Sequence, residues 1–320
     1  MKQKEILLFG ATGQIGRNLV RILSKNNYKI TAVTRNIHRA GYILKTQANP
    51  GYLKLVELKK FDLDKIDSLI KSCSICVNLI GILYEKKKDH FKIIHTDFPN
   101  LLSQKAQEHK IDKFIHLSSL GIESAIDSEY AKSKINGEKK IVKNFSNSII
   151  LKPSIVYSVD DNFTTNFMKL LSRLPIMPLY YNGETKFSPI HVLDLVNIIN
   201  DLIIKDNNNL ILECIGPDTL SFKEIILKLL KSIGKKRILI PLPYTIAKLS
   251  AKFFQSFPNP LLTEDQLKLL KYDNIKSGIY KTNYDLGFKT VRKFDEEIMK
   301  YSYNWRTGGQ FSKPDNIQNL

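Results

Sequence analysis

A short apolar segment, a glycine-rich loop and a helical pattern follow one another at the start of the chain, and this order limits the fold more than any other feature. The run Ile6–Phe9 leads into Gly10, Gly13 and Gly16, after which apolar residues recur at helical spacing. Glycines here let the backbone turn sharply, approach a pyrophosphate and pack a helix against a strand. The start of the helix offers free N–H groups and a partial positive charge. The loop therefore predicts dinucleotide binding, with Gly10, Thr12, Gly13, Gln14, Ile15 and Gly16 as candidate contacts.

The alternation of strands and helices continues along the first half of the chain. We predict strands at Ile6–Phe9, Lys29–Thr34, Leu53–Leu58, Ile75–Ile80, Lys113–Leu117 and Ser148–Leu151, and helices at Asp64–Lys71, Asn100–His109 and Ser128–Asn144. This order predicts an α/β protein with a Rossmann-type, doubly wound parallel sheet. After Pro153 the pattern changes to scattered helices and prolines. We therefore expect a nucleotide-binding domain at residues 1–153, and a smaller C-terminal lid and partner-docking region at 154–320.

Composition excludes several classes of protein and of site. The first apolar run is too short for a secretory signal, and no stretch is apolar over the roughly 18 residues that a membrane span needs, so we expect the protein in the cytoplasm. Cys73 and Cys76 form a C-x-x-C, but redox chemistry of this motif needs a helix N-terminus and Cys76 lies in a predicted buried strand, which favours a structural role. The six histidines show no metal-ligand spacing, so we predict no metal site. The net charge of +18 favours an anionic partner or reflects compositional drift, and both remain open.

The end of the second predicted strand indicates which dinucleotide binds. An acidic residue there would bond the ribose of NAD, but the sequence reads Thr34-Arg35-Asn36. The guanidinium of Arg35 can pair with a 2′-phosphate, which favours NADP(H) over NAD(H); the alternative is an arginine that faces solvent. Further candidates follow the third and fourth strands, where an adenine and a ribose would lie: Asp62, Leu63, Asn78, Ile80 and Gly81. Asp62 has an alternative role as the cap of the following helix.

Tyr130 and Lys134 are four residues apart on a predicted helix, so their side chains project from one face. An adjacent ammonium lowers the pKa of a phenol and lets tyrosine act as an acid or base, while the lysine can also hold the nicotinamide ribose. Ser118 or Ser119, at the end of the preceding strand, can bond a substrate oxygen. The alternative is a chance pair, since the chain has 14 tyrosines.

Taken in order, these motifs resemble the short-chain dehydrogenase superfamily in its extended or atypical branch. Within that branch the chain is similar to the family of NADPH-binding accessory subunits of respiratory complex I and their bacterial relatives. The similarity extends over nearly the whole chain. It includes residues 77–81, 113–118, 130–138, 150–157, 188–194, 239–243, 262–267, 273–274 and 305–311.

The resemblance implies a nucleotide held as a structural ligand, with no established turnover. It matches Arg35 to the family's arginine after the second strand and Lys134 to the lysine that would hold the ribose. Ser118, Tyr130 and Pro153 lie within the matching motifs and complete the candidate cofactor contacts. The three lysines at 86–88 depart from the mixed loop that the family leads us to expect.

The C-terminal third is rich in basic residues. Between Tyr244 and Phe257, apolar positions fall broadly on one side of a predicted helix, and Lys248 and Lys252 fall on another. A lid helix packed on the sheet edge, and docking to a partner subunit or to anionic lipid headgroups, both remain open. We expect this segment and Tyr301–Phe311 to form the docking surface. The aromatic and basic residues do not interleave as nucleic-acid binding would require.

The sequence as a whole favours an NADP(H)-binding, noncatalytic accessory or assembly subunit of respiratory complex I. We expect it at the inner face of the energy-transducing membrane, as a peripheral protein. One alternative is an active NADP-dependent reductase, or an NAD(P)-dependent sugar-nucleotide epimerase or dehydratase, that uses Tyr130, Lys134 and Ser118. Another is a nucleotide-sensing regulator. The sequence names no substrate.

Overall fold

The computed structural model describes residues 4–205, 208–243, 245–246, 248–249 and 262–311. The strands are β1 Glu5–Phe9, β2 Lys29–Thr34, β3 Leu53–Glu57, β4 Ile75–Asn78, β5 Lys113–Leu117, β6 Ser148–Pro153, β7 Val156–Tyr157, β8 Ile176–Tyr180, β9 Lys186–Phe187, β10 Ile190–His191, β11 Leu210–Cys214, β12 Leu220–Ser221, β13 Ile238–Leu242 and β14 Lys281–Thr282. The helices are α1 Gln14–Lys25, α2 Ile37–Lys45, α3 Leu63–Lys71, α4 Phe98–Glu108, α5 Glu129–Asn144, α6 Thr164–Arg173, α7 Val192–Ile204, α8 Phe222–Ile233, α9 Glu264–Leu269 and α10 Phe294–Met299.

The main sheet of the described residues has eight parallel strands in the order β14-β11-β6-β5-β4-β1-β2-β3. Alternate residues of each strand face two cores, as the period of a strand requires. Ile6 and Leu8 pack into one core with α1 and α7, whereas Leu7 and Phe9 pack into the other with α3 and α4. The predicted Rossmann-type sheet is confirmed, and the chain order reverses between β1 and β4, where such sheets bind ligands.

Two helical segments within the first 153 residues were not predicted. Helix α2 lies between β2 and β3, and it begins where the Asn36 side chain accepts a hydrogen bond from the backbone N–H of Arg39 at 2.9 Å. A π-helix at Lys92–Asp97 leads directly into α4, so the helical segment there starts earlier than the predicted Asn100. The wide turn of a π-helix is typical of functional sites.

The second half of the chain contributes both to the main sheet and to a separate apolar cluster. Strands β11 and β14 extend the main sheet beside β6, and α7 packs against α1, so the sheet draws on residues from both sides of 153. Another apolar cluster is built from α6, α8 and α10 around Tyr157. Tyr301 is buried in it, although we expected Tyr301–Phe311 to belong to a docking surface. Most of the predicted helix Tyr244–Phe257 lies outside the described residues.

Cys73 and Cys76 are buried thiols without a disulfide. Burial raises the pKa of Cys73 to about 12 and that of Cys76 well above its usual value, so neither is poised as a thiolate. Within the described part of the chain, none of the helices combines the length and the apolar character needed to cross a bilayer.

Candidate functional site

The glycine loop between β1 and α1 depends on two of its glycines for close packing. Gly10 has a φ of +80°, and a Cβ there would lie 2.9 Å from the backbone carbon of Leu79 at the end of β4. A Cβ on Gly16 would lie 2.3 Å from the carbonyl oxygen of Gly10. Gly13 has no such constraint, since its nearest neighbour would be 3.4 Å away. The first and third glycines thus shape the loop, and the second keeps its outer side free of a side chain.

The amino end of α1 is open on that outer side. Gly13 is the cap residue and provides no side-chain hydrogen bond, and Thr12 and Gly13 are exposed. The neighbouring Gln14 faces another way, because its Nε2 donates to the hydroxyl of Ser158 at 2.9 Å. Ile15 packs against the first core. The N–H groups of this turn and the helix dipole therefore face a space suited to phosphate oxygens.

Arg35 lies exposed at the end of β2, beside the glycine loop, since β1 and β2 are neighbours. A carboxylate that we did not predict lies close by, on the adjacent strand. Glu57 accepts a hydrogen bond from the backbone N–H of Ile37 at 3.2 Å, and the Lys59 ammonium lies 3.4 Å from it. These contacts lower the pKa of Glu57. Glu57 was not among the predicted residues because it lies at the end of β3, whereas the sequence motif places the acidic residue at the end of β2.

The candidates after β3 and β4 make local backbone contacts. Asp62 accepts a hydrogen bond from the N–H of Lys65 at 3.1 Å, so it caps α3, as the alternative role required. The adjacent Leu63 is exposed. Asn78 is buried; its Oδ1 accepts from the N–H of Ile80, and its Nδ2 lies 3.1 Å from Nδ1 of His116. Asn78 therefore shapes the turn that leads to Gly81.

Lys134 faces this turn from α5. A Cβ on Gly81 would lie 3.5 Å from the Lys134 ammonium, which donates a hydrogen bond to the carbonyl of Leu117 at 3.1 Å. Burial lowers the pKa of Lys134 to about 8, against the opposing charge of Glu138. The structure thus brings the lysine to the rim of the loops that follow β4 and β5, where a ribose would lie.

Tyr130 is deeply buried, with 8% of its surface exposed. Burial raises the pKa of its phenol to about 12, although a hydrogen bond with Ser119 acts in the opposite direction. Our expectation that the neighbouring ammonium lowers this pKa is therefore wrong, because the loss of solvent outweighs the charge. Tyr130 also packs edge-on against Phe91 and His95.

Ser118 and Ser119 differ in their partners. The Ser118 hydroxyl donates to the carboxylate of Glu138, which also pairs with Lys152 at 2.8 Å. Lys152 is completely buried on β6 and pairs with Glu123 as well. Ser119, one residue on, is the serine that contacts Tyr130. Pro153 ends β6 next to this cluster, and its carbonyl accepts from the N–H of Leu120.

His95, on the π-helix, connects the loop after β4 to α5. The N–H of Ile82 donates to its Nε2 at 3.1 Å, so Nδ1 carries the hydrogen and donates to the Ser133 hydroxyl at 2.9 Å. Burial lowers the pKa of His95 to about 2, and the imidazole is neutral. The backbone carbonyl of His95 lies so close to Gly137 that a Cβ there would be 1.9 Å away. Neither His95 nor Glu138 nor Lys152 was among our candidates, because only the fold brings them together.

Asp67, Glu108 and His109 meet between α3 and α4, with one potential ligand atom each within 4.8 Å of the others. The sequence spacing had not indicated this group. The ammonium of Lys105 lies 3.0 Å from Asp67 and 2.6 Å from Glu108, so a cation of the chain itself already pairs with both carboxylates. The arrangement is an ion-pair network at the surface.

Comparison with known proteins agrees with this geometry. Residues 10–154 match the family model described as NAD(P)H-binding. The chain is 24% identical over 303 residues to the 40 kDa subunit of mitochondrial NADH-ubiquinone oxidoreductase of Neurospora crassa, which covers 93% of this chain and 77% of the relative. It is 25% identical over 316 residues to mitochondrial NADH dehydrogenase [ubiquinone] 1 alpha subcomplex subunit 9 of Dictyostelium discoideum, covering 98% of this chain and 88% of the relative.

Solved structures share the fold. A dTDP-glucose 4,6-dehydratase from Streptomyces venezuelae, solved with NAD and TYD bound, superposes with a TM-score of 0.68 and 17% identity, over 94% of this chain and 96% of that one. The resemblance inferred from the sequence is thereby confirmed: residues 10–154 match an NAD(P)H-binding family model, the chain shares the Rossmann fold of the dehydratase and, over most of its length, it is similar to the 40 kDa, or subunit 9, proteins of complex I.

Proposed function

We propose that this protein is a noncatalytic, NADP(H)-binding accessory or assembly subunit that associates with respiratory complex I. One contrast within the site carries the proposal. The side that would receive the dinucleotide is open, since the turn at Thr12 and Gly13 is exposed, whereas Tyr130, on the side that would receive a substrate, is buried. Such a site suits a ligand that is held, not one that is turned over.

The residues present fit a dinucleotide in a defined orientation. The N–H groups at the amino end of α1 would receive the pyrophosphate, next to Gly10 and Gly16. Lys134 would hold the nicotinamide ribose from α5, near the turn at Gly81. Asp62 and Leu63, both exposed after β3, would lie on the adenine side. Bound in this way, the dinucleotide would supply a hydride donor or acceptor. In this protein it would instead serve to join α1, α5 and the loops between them.

NADP(H) is the form that the charges favour. Arg35 is exposed at the end of β2, and Arg39 is exposed on the first turn of α2, so two guanidinium groups are near the ribose position. Glu57 is the one carboxylate that we identify nearby, and its contacts with Ile37 and Lys59 already satisfy it. A 2′-phosphate would find a net positive surface there.

The catalytic groups of an active enzyme are engaged with the protein itself. Burial raises the pKa of the Tyr130 phenol to about 12, which keeps it protonated near neutral pH. Ser118 donates to Glu138 and so has no hydroxyl hydrogen left for a substrate oxygen. A bound nucleotide would therefore meet no free acid or base at this position.

Association with complex I rests on the relatives, whose names place them in that enzyme, and on their similarity along most of the chain. The net charge of +18 fits a peripheral position at an anionic membrane surface. The test is to isolate the protein from native membranes under mild conditions and to identify its companions and its nucleotide. We expect complex I subunits and NADP(H). Recovery as a free protein without nucleotide would refute the proposal.

An active NADP-dependent reductase, or a sugar-nucleotide epimerase or dehydratase, is the second candidate. The observation in its favour is that Tyr130 and Lys134 share one face of α5, with the ammonium 5.8 Å from the ring centre. This function requires the pocket around Tyr130 to open. Turnover of a carbonyl or sugar-nucleotide substrate that is lost in Tyr130→Phe would establish it. A nucleotide-sensing regulator, the third candidate, would instead exchange NADP(H) reversibly and release its partners on exchange.

A further inference from the structure

Residues 263–274, hereafter the 263–274 segment, cross the carboxyl ends of β5 and β6 and the amino end of α5. This is the edge of the sheet at which open α/β folds bind their ligands. The segment contains the short helix α9, whose first turn is closed by reciprocal hydrogen bonds between Thr263 and Gln266. The segment is therefore ordered by its own contacts before any contact with the rest of the molecule is considered.

Asp265 attaches the segment to α5, the helix that carries Tyr130. Its carboxylate accepts hydrogen bonds from the Ser128 hydroxyl at 2.8 Å, from the N–H of Glu129 at 2.8 Å and from the N–H of Tyr130 at 3.0 Å. A carboxylate at a helix amino end is stabilised both by charged hydrogen bonds and by the helix dipole. The contact joins residues 135 positions apart in the chain and reaches Tyr130 itself.

Asn274 attaches the other end of the segment. Its Nδ2 donates to the carbonyl of Leu120, directly after the serine pair, and its Oδ1 accepts from the Ser154 hydroxyl at 2.6 Å. Gly121 has a φ of +76°, and a Cβ there would lie 2.9 Å from the carbonyl oxygen of Asp273. The loop after β5 is therefore shaped to receive the segment at close range.

Between the two attachments, the segment fills the space next to Tyr130. Leu269 and Tyr272 pack against an apolar cluster. That cluster consists of Phe91, Ile122, Ala125, Tyr130 and Ala131. Gln266 also reaches the carbonyl of Leu83, in the loop after β4, at 3.4 Å. One continuous stretch of the chain thus touches the helix, both loops and the tyrosine that together would surround a substrate.

We propose that the 263–274 segment is an intramolecular strap that occupies the substrate position and keeps Tyr130 inaccessible. Asp265 and Asn274 attach its two ends to the rest of the molecule, and Leu269 and Tyr272 are the side chains that occupy the position of a substrate. The inference goes beyond the proposed function, because it names the part of the chain that closes the site and predicts that displacing it exposes Tyr130 without removing the dinucleotide half.

The test measures access to Tyr130 in the full chain with tetranitromethane, which nitrates exposed tyrosines, followed by mass mapping of the peptide that contains Tyr130. In the unaltered protein we expect little nitration at this position. In Leu269→Ala/Tyr272→Ala we expect it to rise about tenfold or more, because two packed side chains are removed. Lys276→Ala, an exposed change just beyond the segment, is the matched control and should not differ from the unaltered chain. Equal nitration in the unaltered and doubly altered chains would overturn the strap.

A second variant decides the question if the double variant fails to fold. Asp265→Asn keeps the size of the side chain and removes its charge, so we expect faster hydrogen exchange at the amides of Glu129 and Tyr130. Unchanged hydrogen exchange at these two amides would show that Asp265 does not attach the segment to α5. NADPH binding is measured on the same samples. If NADPH binds and Tyr130 is equally protected in the unaltered and doubly altered chains, the strap is wrong and the proposed function stands; if NADPH does not bind, the proposed function fails by itself.

Discussion

The ammonium of Lys134 lies 5.8 Å from the centre of the Tyr130 ring, yet the pKa of the phenol is raised while that of the ammonium is lowered. Both shifts have the same main cause, which is burial. An active tyrosine of this kind needs solvent or substrate on one side so that the positive charge can dominate. Burial therefore outweighs the neighbouring charge at both residues, and this leads to separate expectations for each of them.

Arg35→Asp should reverse the preference between the two dinucleotides. The guanidinium is lost as a partner for the 2′-phosphate, and the new carboxylate can bond the ribose hydroxyls of NAD. We expect a change of about 1.5–3 kcal/mol in relative affinity, the size of a charged hydrogen bond. Calorimetric titration with NADPH and NADH measures it. Lys29→Asp, at the opposite end of the same strand, is the control and should leave the preference unchanged. Equal affinities for both nucleotides in the unaltered protein would contradict the assignment.

Lys134→Ala should weaken nucleotide binding, whereas Tyr130→Phe should barely affect it. The lysine faces the turn at Gly81 directly, but the Tyr130 hydroxyl is turned toward Ser119. We expect a loss of about 1.5–3 kcal/mol for the first change and within about 0.5 kcal/mol for the second. Fluorescence titration with NADPH gives both values. A large loss in Tyr130→Phe would mean that the phenol contacts the nucleotide.

The affinity for NADPH should fall as the pH rises through about 8, the pKa to which burial lowers Lys134 in the free protein. Below that value the ammonium is charged and can hold the ribose; above it, the neutral amine is a poorer donor. The guanidinium of Arg35 stays charged throughout. Titrations from about pH 7 to about pH 9.5 should show the decline in the unaltered chain and none in Lys134→Met. A flat profile in the unaltered chain would place the lysine outside the binding contacts.

Gly137→Ala should destabilise the fold, although alanine is the better helix former. A Cβ at this position meets the backbone carbonyl of His95 at 1.9 Å, so either the π-helix or α5 must move. We expect a cost of about 1–3 kcal/mol. Gly41→Ala is the control: that Cβ would lie 3.9 Å from its nearest neighbour, and the change should stabilise by up to about 1 kcal/mol. Urea unfolding of both variants separates the two results, and opposite signs are expected.

The sequence predicted strands better than it predicted the site. The limits of β2 and β5 match the predicted ranges Lys29–Thr34 and Lys113–Leu117, because buried parallel strands are short, continuous apolar runs between turns. Helix α2 was missed because it is only nine residues long, contains the poor helix former Gly41, and starts at one capping contact from Asn36. The expected lid shares strands with the main sheet, which no local pattern could reveal.

Within the site, the glycines that shape the backbone could be recognised in the sequence more easily than the residues whose contacts lie in distant parts of the chain. Gly10 and Gly16 are recognisable because their spacing alone implies a tight loop. Glu138 and Lys152 meet only when α5 lies on β6, and Asp265 reaches Tyr130 from the other end of the chain. Such contacts depend on tertiary packing and leave no period in the sequence.

The cluster of Glu123, Glu138 and Lys152 has a consequence for how this chain can vary. Removal of Lys152 alone leaves Glu138 buried without its ion-pair partner, a change that costs about 3–5 kcal/mol when a buried pair is broken. Removal of one carboxylate leaves the lysine partly compensated by the other. The order of substitutions at these positions therefore matters. A first substitution can occur at Glu123, which retains some solvent, but not at Lys152. We expect that a related chain without the lysine lost one of the two acids first.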